Sequence, residues 1–137
     1  MSFFCLIRRG RFYGVEVGRV DVPVTILTDV GATEIALRLD TGAYITTISE
    51  DVAALCGLPP GGTPISLTGI GGRVAGRLID VRVRFPPDAI SGTAGREVTA
   101  RWAVIPGRTD TKLLSLMDVH EHFSIGTDDA FMHFAER

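Results

Sequence analysis

Two runs, VPVTILT (residues 22–28) and TEIALRLD (33–40), combine β-branched residues with alternation and are joined by DVGA, which restricts this part of the chain to an antiparallel β architecture. Alternate apolar residues line one face of a strand, whereas a helix would need them every three or four positions. The DVGA step supplies the turn between the two arms of a hairpin. The second arm ends on an acidic residue, Asp40, within LDTGAYITTIS (39–49). A carboxylate at the end of a buried strand is costly to desolvate unless it is paired, hydrogen-bonded or protonated. Thr41 offers a hydroxyl, and Gly42 lets the backbone turn so that amide N–H groups come close. Either this is an ordinary Asp-x-Gly turn or the carboxylate is held for chemistry. Asp29, Val30, Gly31 and Ala32 repeat the D-x-G-A pattern, but Val30 carries no hydroxyl and the segment suits a hairpin connection. Asp29 therefore reads as turn and Asp40 as site.

Further along, ITTIS (45–49) continues as β, and SEDVAALCGL (49–58) predicts a short helix capped by Ser49 and ended by Gly57. ISLTGIGGRVAGRLIDVRVRF (65–85) predicts a long hairpin with a glycine-rich tip, and VTARWAVI (98–105) a further strand closed by Pro106. PPDAISGTAGRE (86–97) reads as loop. TKLLSLMDVHEHF (111–123) has apolar residues at 113, 116, 117 and 119 and predicts a short helix; FSIGTDDAFMHF (123–134) predicts two short strands around Asp128 and Asp129. With 137 residues and 45% hydrophobic content, the chain suits one domain, mainly β with one or two short helices.

Fourteen basic against sixteen acidic residues give a formal charge of -2, which excludes a broad electrostatic footprint for nucleic acid. Arg8, Arg9 and Arg11 are a local basic run that reads as a solvated edge. Cys5 and Cys56 are too few for a disulfide framework and lack metal-ligand spacing. FFCLI (3–7) is too short for a signal or a membrane span, so a soluble, cytoplasmic protein with no membrane partner is expected. His120 and His122, two apart on the predicted helix, do not share a face, and His133 falls in a terminal strand, so no metal site is expected. The GIGG tip lacks the Gly-Lys-Ser/Thr that would make it a phosphate loop.

Taken with the TGIGG tip (68–72), LDTGAYITTIS resembles the retropepsin-like family of aspartic proteases. The order of elements matches over residues 22–134: hairpin, hydrophobic-Asp-Thr-Gly-Ala, glycine-tipped flap, later strand, then a hydrophobic segment before the C-terminal helix and strand. The resemblance implies a closed retropepsin-like acid-protease fold. It makes Asp40 the catalytic aspartate, Thr41 the hydroxyl that ties two active-site loops together, and Gly42 the residue bordering the substrate. Ala43 and the flap-tip residues Gly69, Ile70, Gly71 and Gly72 are implied substrate contacts. One departure stands out. Where the family has glycine before its C-terminal helix, KLLSLMDV (112–119) places Ser115 or Leu116, whose side chain must be accommodated. Because peptide hydrolysis by this chemistry needs two carboxylates and the chain has one Asp-Thr-Gly, the second must come from another copy, giving a homodimeric aspartic endopeptidase with a peptide or protein substrate and no cofactor. The alternative is a catalytically inactive dimerisation or peptide-binding module on the same fold. FFCLI and DAFMHF (129–134) are candidates for the dimer interface or, alternatively, edge strands of one subunit.

Overall fold

The computed structural model describes residues 1–69, 72–107 and 110–137, and strands dominate it. Strand β1 spans Ser2–Phe12, β2 Val15–Thr28 and β3 Gly31–Asp40. Strands β2 and β3 form the predicted hairpin, pairing from Asp21↔Arg38 to Thr28↔Gly31 around a turn at Asp29 and Val30. Along β2, Val20, Val22, Val24 and Ile26 are buried and the residues between them are less so, as the alternation requires. Each such side chain contributes about 1.5–3 kcal/mol relative to an exposed one.

Beyond Asp40 an irregular loop leads to β4 (Thr47–Ser49), so only the last three residues of ITTIS are strand. Ser49 caps helix α1 (Glu50–Leu55), accepting from the Val52 amide at 3.3 Å. The long hairpin is β5 (Thr63–Gly69) with β6 (Gly72–Arg84), in register from Thr63↔Leu78 to Gly69↔Gly72; Ile70 and Gly71 lie outside the described residues. Its root is anchored by Arg77, which donates to both carboxylate oxygens of Glu50 at 2.9 and 3.0 Å and to the carbonyls of Pro59 and Gly61. The shared hydrogen bonds lower the Glu50 carboxyl and raise the Arg77 guanidinium relative to their ordinary values. Beside Arg77, Gly76 passes so close to the next strand that an added Cβ would lie 2.7 Å from the Val104 carbonyl oxygen.

Strand β7 (Glu97–Ile105) pairs with β6, and β8 (Lys112–Ser115) lies parallel to β3, with Leu39↔Leu114 and Asp40↔Ser115. The helix predicted over residues 111–123 is therefore corrected. Its first part is strand, and only α2 (Leu116–His120) is helical. The apolar positions do not form one stripe, since Val119 is buried while Met117 is exposed. Ladders with β3 and β4, invisible to local periodicity, take residues 112–115. Strands β6, β7, β4, β8, β3 and β2 pair in that order and β2 returns to β6, closing a barrel around Ile26, Leu37, Ile48, Val83, Trp102 and Leu114.

At one end of the sheet, β9 (Phe123–Thr127) and β10 (Phe131–Glu136) form the expected pair of short strands. FFCLI and DAFMHF meet within one chain: β1 pairs with β10 from Ser2↔Ala135 to Leu6↔Phe131. Their inward aromatics make a second core, with Phe3 stacked on Phe134 at 4.6 Å and edge-on to Phe123 at 5.2 Å. Asp88 in the 86–96 loop fastens the N-terminus, accepting from the amides of Ser91 and Ser2; these bonds hold its carboxyl far below the usual range. Asp128 organises the β9–β10 turn. The His133 ring at 2.7 Å and the amides of Ala130 and Phe131 lower its carboxyl to about 2.

The second half of β1, residues 7–12, leaves β10 and pairs with residues 15–20 of β2. Tyr13 and Gly14 close this hairpin at φ 49° and 76°, the signs a type I′ turn requires. The basic run Arg8, Arg9 and Arg11 is exposed on it. Cys5 and Cys56 are free and buried, and burial pushes the Cys5 thiol up to about 11 and raises that of Cys56. Among the described residues, no helix is long and apolar enough to cross a membrane.

Two outcomes test this description. Gly76→Ala is expected to cost about 1–3 kcal/mol by forcing β6 and β7 apart, read as a lower urea midpoint at unchanged m value. Because Asp128 titrates at about 2 in the fold against 3.8 ordinarily, its contribution is complete above pH 3.8 and lost as pH falls through about 2. Asp128→Asn should therefore lower stability at about pH 6 and flatten the further decline between about pH 4 and pH 2, measured by chemical denaturation at each pH.

Candidate active site

Asp40 is the last residue of β3, and its environment is built almost entirely from backbone. The Gly42 amide donates to Asp40 Oδ1 at 2.8 Å, and the Ala43 amide donates to the Asp40 carbonyl at 3.4 Å, so the chain folds back immediately after the carboxylate. An added Cβ at Gly42 would lie 3.4 Å from Oδ1, at the edge of ordinary contact, so the glycine keeps the surroundings of the carboxylate open. Thr41 is exposed, and its hydroxyl has no hydrogen-bond partner among the described residues. Ala43 is half-buried beneath the turn.

What fixes the loop from behind is a buried polar cluster. Ser115, directly beside Asp40 in the parallel ladder, donates its hydroxyl to the Ala43 carbonyl at 2.8 Å and accepts from the Met117 amide at 3.2 Å, capping α2. Its own amide donates to Thr46 Oγ1 at 3.1 Å. The Thr46 hydroxyl in turn donates to Asp118 Oδ2 at 2.5 Å, and the Thr46 amide reaches the same oxygen at 3.3 Å. The Ala103 amide of β7 completes the set by donating to the Thr46 carbonyl at 2.9 Å. No buried side-chain nitrogen or oxygen among the described residues lacks a partner. A satisfied network of this kind stiffens a loop, since displacing one member leaves others unpaired in a dry interior.

Of the two residues at the place of the family's glycine, Ser115 is fully buried and used twice in hydrogen bonding, while Leu116 begins α2. Thr46 and Asp118 are contributors that local sequence reading passes over. Thr46 sits in a stretch that reads as plain strand, whereas Ser115 and Asp118 carry a signal, the S-x-x-D spacing of a helix start.

Asp40 and Thr41 open onto a groove of about 550 Å³ shared with Val17, Arg19, Arg38 and Met132. Asp40 is the one carboxylate among the described residues that line it. Gly69 and Gly72, at the far end of the β5–β6 hairpin, are not among those lining residues, and Ile70 and Gly71 are outside the described residues. On the other side of the loop a second hollow of about 350 Å³ is lined by Tyr44, Ile45, Trp102, Asp118 and His122. Of the other histidines, His133 bonds Asp128, and His120 receives the Arg137 side chain on its carbonyl at 2.7 Å. No group of three or more His, Cys, Asp or Glu among the described residues could hold a metal ion.

Comparisons with known proteins bear on the family and the fold. The family model described as aspartyl protease matches residues 14–116, from the turn before β2 to the start of α2. Among solved structures the chain is similar to a retropepsin-like aspartic protease from Rickettsia conorii, at 16% identity and a TM-score of 0.63, over 98% of this chain and 91% of that one. At that identity the likeness concerns the fold, which is retropepsin-like. No curated protein matches the chain.

Thr46→Val tests the cluster. It keeps the shape but strips the hydroxyl, leaving the Ser115 amide without its acceptor and Asp118 without its shortest bond. A loss of about 1–3 kcal/mol in unfolding free energy is expected, measured by urea denaturation.

Proposed function

Because the chain belongs to the aspartyl protease family, we propose that it is an endopeptidase active as a homodimer, with Asp40 of each copy supplying one of two paired carboxylates. The observation that carries this reading is the single Asp-Thr-Gly of the chain, placed at the open end of β3 with its carboxylate held by one amide. A lone carboxylate cannot act as acid and base in the same step; two related by a two-fold axis can.

Two like carboxylates within hydrogen-bonding distance do not both ionise easily, so their protons leave in two macroscopic steps that belong to the pair. Between those steps the ionised member takes a proton from water as the water oxygen bonds to the scissile carbonyl carbon. The protonated member gives its proton to the carbonyl oxygen. Collapse of the resulting diol breaks the C–N bond, with a proton delivered to the departing amine. Water is consumed, and two peptide products leave with no covalent enzyme intermediate.

The other implied residues take roles around this pair. The exposed Thr41 hydroxyl is available to bond across the two copies, and Gly42 and Ala43 border the substrate. The β5–β6 hairpin, from Gly69 through Ile70 and Gly71 to Gly72, serves as the flap over an extended peptide bound by its backbone. Its root is held by Arg77. The two buried free thiols accord with a reducing, cytoplasmic setting. The rival reading is a non-catalytic dimerisation or peptide-binding module on the same fold.

Cleavage of a diverse peptide library, followed by mass spectrometry from about pH 3 to pH 8, tests the proposal. Wild type is expected to cleave, and Asp40→Asn to fold normally while losing at least about a hundredfold in kcat/KM. An active Asp40→Asn protein would place the chemistry elsewhere. A folded wild-type dimer that cleaves nothing would favour the binding module.

A further inference from the structure

Strand β2 pairs with β3 only from Asp21 onward, and its first six residues pair with residues 7–12 of β1 alone. These two segments and the Tyr13–Gly14 turn form an arm in which every residue from 8 to 19 is exposed. An isolated two-stranded hairpin is marginally stable in water, so an uncovered arm needs a surface to rest on.

The pairing register assigns its two faces. Residues directly opposite one another share a face. Phe12 faces Val15, Gly10 faces Val17 and Arg8 faces Arg19 on one side; Arg11 faces Glu16 and Arg9 faces Gly18 on the other. The arm is therefore amphipathic. Its apolar side carries Phe12 at 65% exposure, Val15 at 62% and Val17 at 45%; the Arg8–Arg19 pair separates these from Leu6, which lies on the same face at 54%. Tyr13, 92% exposed, stands at the tip against Phe12. At Gly10 an added Cβ would meet nothing within 4 Å, which leaves a bare patch beside Val17 for an incoming side chain. Single exposed apolar residues are ordinary, but a continuous strip on one face of a projecting ribbon marks a contact surface.

The position of the arm selects the occupant. Its root, Val17 to Val20, lines the same groove as Asp40 and Thr41. If two Asp40 carboxylates meet on a two-fold axis, whatever stands beside Asp40 stands close to that axis and faces the other copy. We propose that the apolar face of this arm, Phe12, Val15 and Val17, docks on a second copy of the chain and clamps the dimer beside the paired carboxylates. The inference rests on the dyad reading of Asp40 and adds to it a contact surface in β1 and β2.

Sedimentation equilibrium over a concentration series, with peptide cleavage measured on the same samples, tests it. The variant Phe12→Ser/Val15→Thr keeps a strand-forming residue at 15, removes the outer part of the apolar strip and leaves the groove-lining Val17 in place. It is expected to raise the dimer dissociation constant at least about tenfold, with cleavage recovered at higher protein concentration. Arg9→Ser/Arg11→Ser, on the charged face, should dimerise as wild type does. An apolar-face variant that dimerises like wild type overturns the arm and leaves the dyad standing; the same result with a raised KM for protein substrates reassigns the strip to substrate. An active wild type that stays monomeric at every concentration overturns the dyad reading itself. Should the double variant not fold, Val15→Cys supplies the answer through a short bismaleimide, because the native thiols are buried. Copies are expected to cross-link through position 15 far more than through Val30→Cys, placed at the opposite end of β2; equal yields overturn the arm.

Discussion

The parallel pairing of β3 with β8 is the contact on which the rest of the site depends. It places Asp40 beside Ser115 at the point where both strands end, and from there the chain must turn twice, once into the loop and once into α2. Turning frees backbone amides and carbonyls that no ladder can satisfy. The Gly42 amide goes to the carboxylate, the Met117 amide to Ser115 Oγ, and the Ala43 carbonyl to the Ser115 hydroxyl. The acidic side chain therefore ends a strand without being sealed in. One oxygen is held by an amide and the carboxylate faces a groove, which fixes its position while leaving it accessible.

Beneath this lies a division of labour between two carboxylates of one chain. Asp118 accepts from both the hydroxyl and the amide of Thr46 and so acts as scaffold. Asp40 lines an open groove with no other acid among the described residues that line it. The serine in place of the family's glycine belongs to the scaffold as well. Its hydroxyl donates to the Ala43 carbonyl and accepts from the Met117 amide, so the buried oxygen is satisfied. The substitution is absorbed by adding bonds.

The same logic of incomplete satisfaction extends to the ends of the chain. The inward side of β1 and β10 is closed by Phe3, Phe123 and Phe134, a complete aromatic core of one chain. The outward side and the arm beyond it keep Phe4, Leu6, Phe12, Val15 and Val17 in solvent. In the proposed dimer this exposed apolar side meets the second copy, and the arm brings that copy next to Asp40. Assembly and chemistry are then joined through one strand, β2, whose outer part carries the arm and whose inner part pairs with the strand that ends at Asp40.

Local sequence was sufficient for whatever is held together by neighbours in the chain. Alternation and DVGA determined the β2–β3 hairpin, Ser49 and Gly57 the bounds of α1, the glycines the turn of the β5–β6 hairpin, and LDTGA the point at which a carboxylate would be presented. Residues 112–115 were beyond its reach, since their apolar spacing suits a short helix and only the exposed edge of β3 makes strand the better use of their hydrogen bonds. The arm escaped too: RRGRFYGVEVG has no alternating core face to announce strands, and Tyr-Gly is not the usual I′ pair. Which side chains support Asp40 was decided by the tertiary structure alone, because Thr46, Ala103, Ser115 and Asp118 come from distant elements and meet only when the parallel ladder closes the barrel. Periodicity records what each segment buries, whereas a buried polar cluster depends on which segments are brought together.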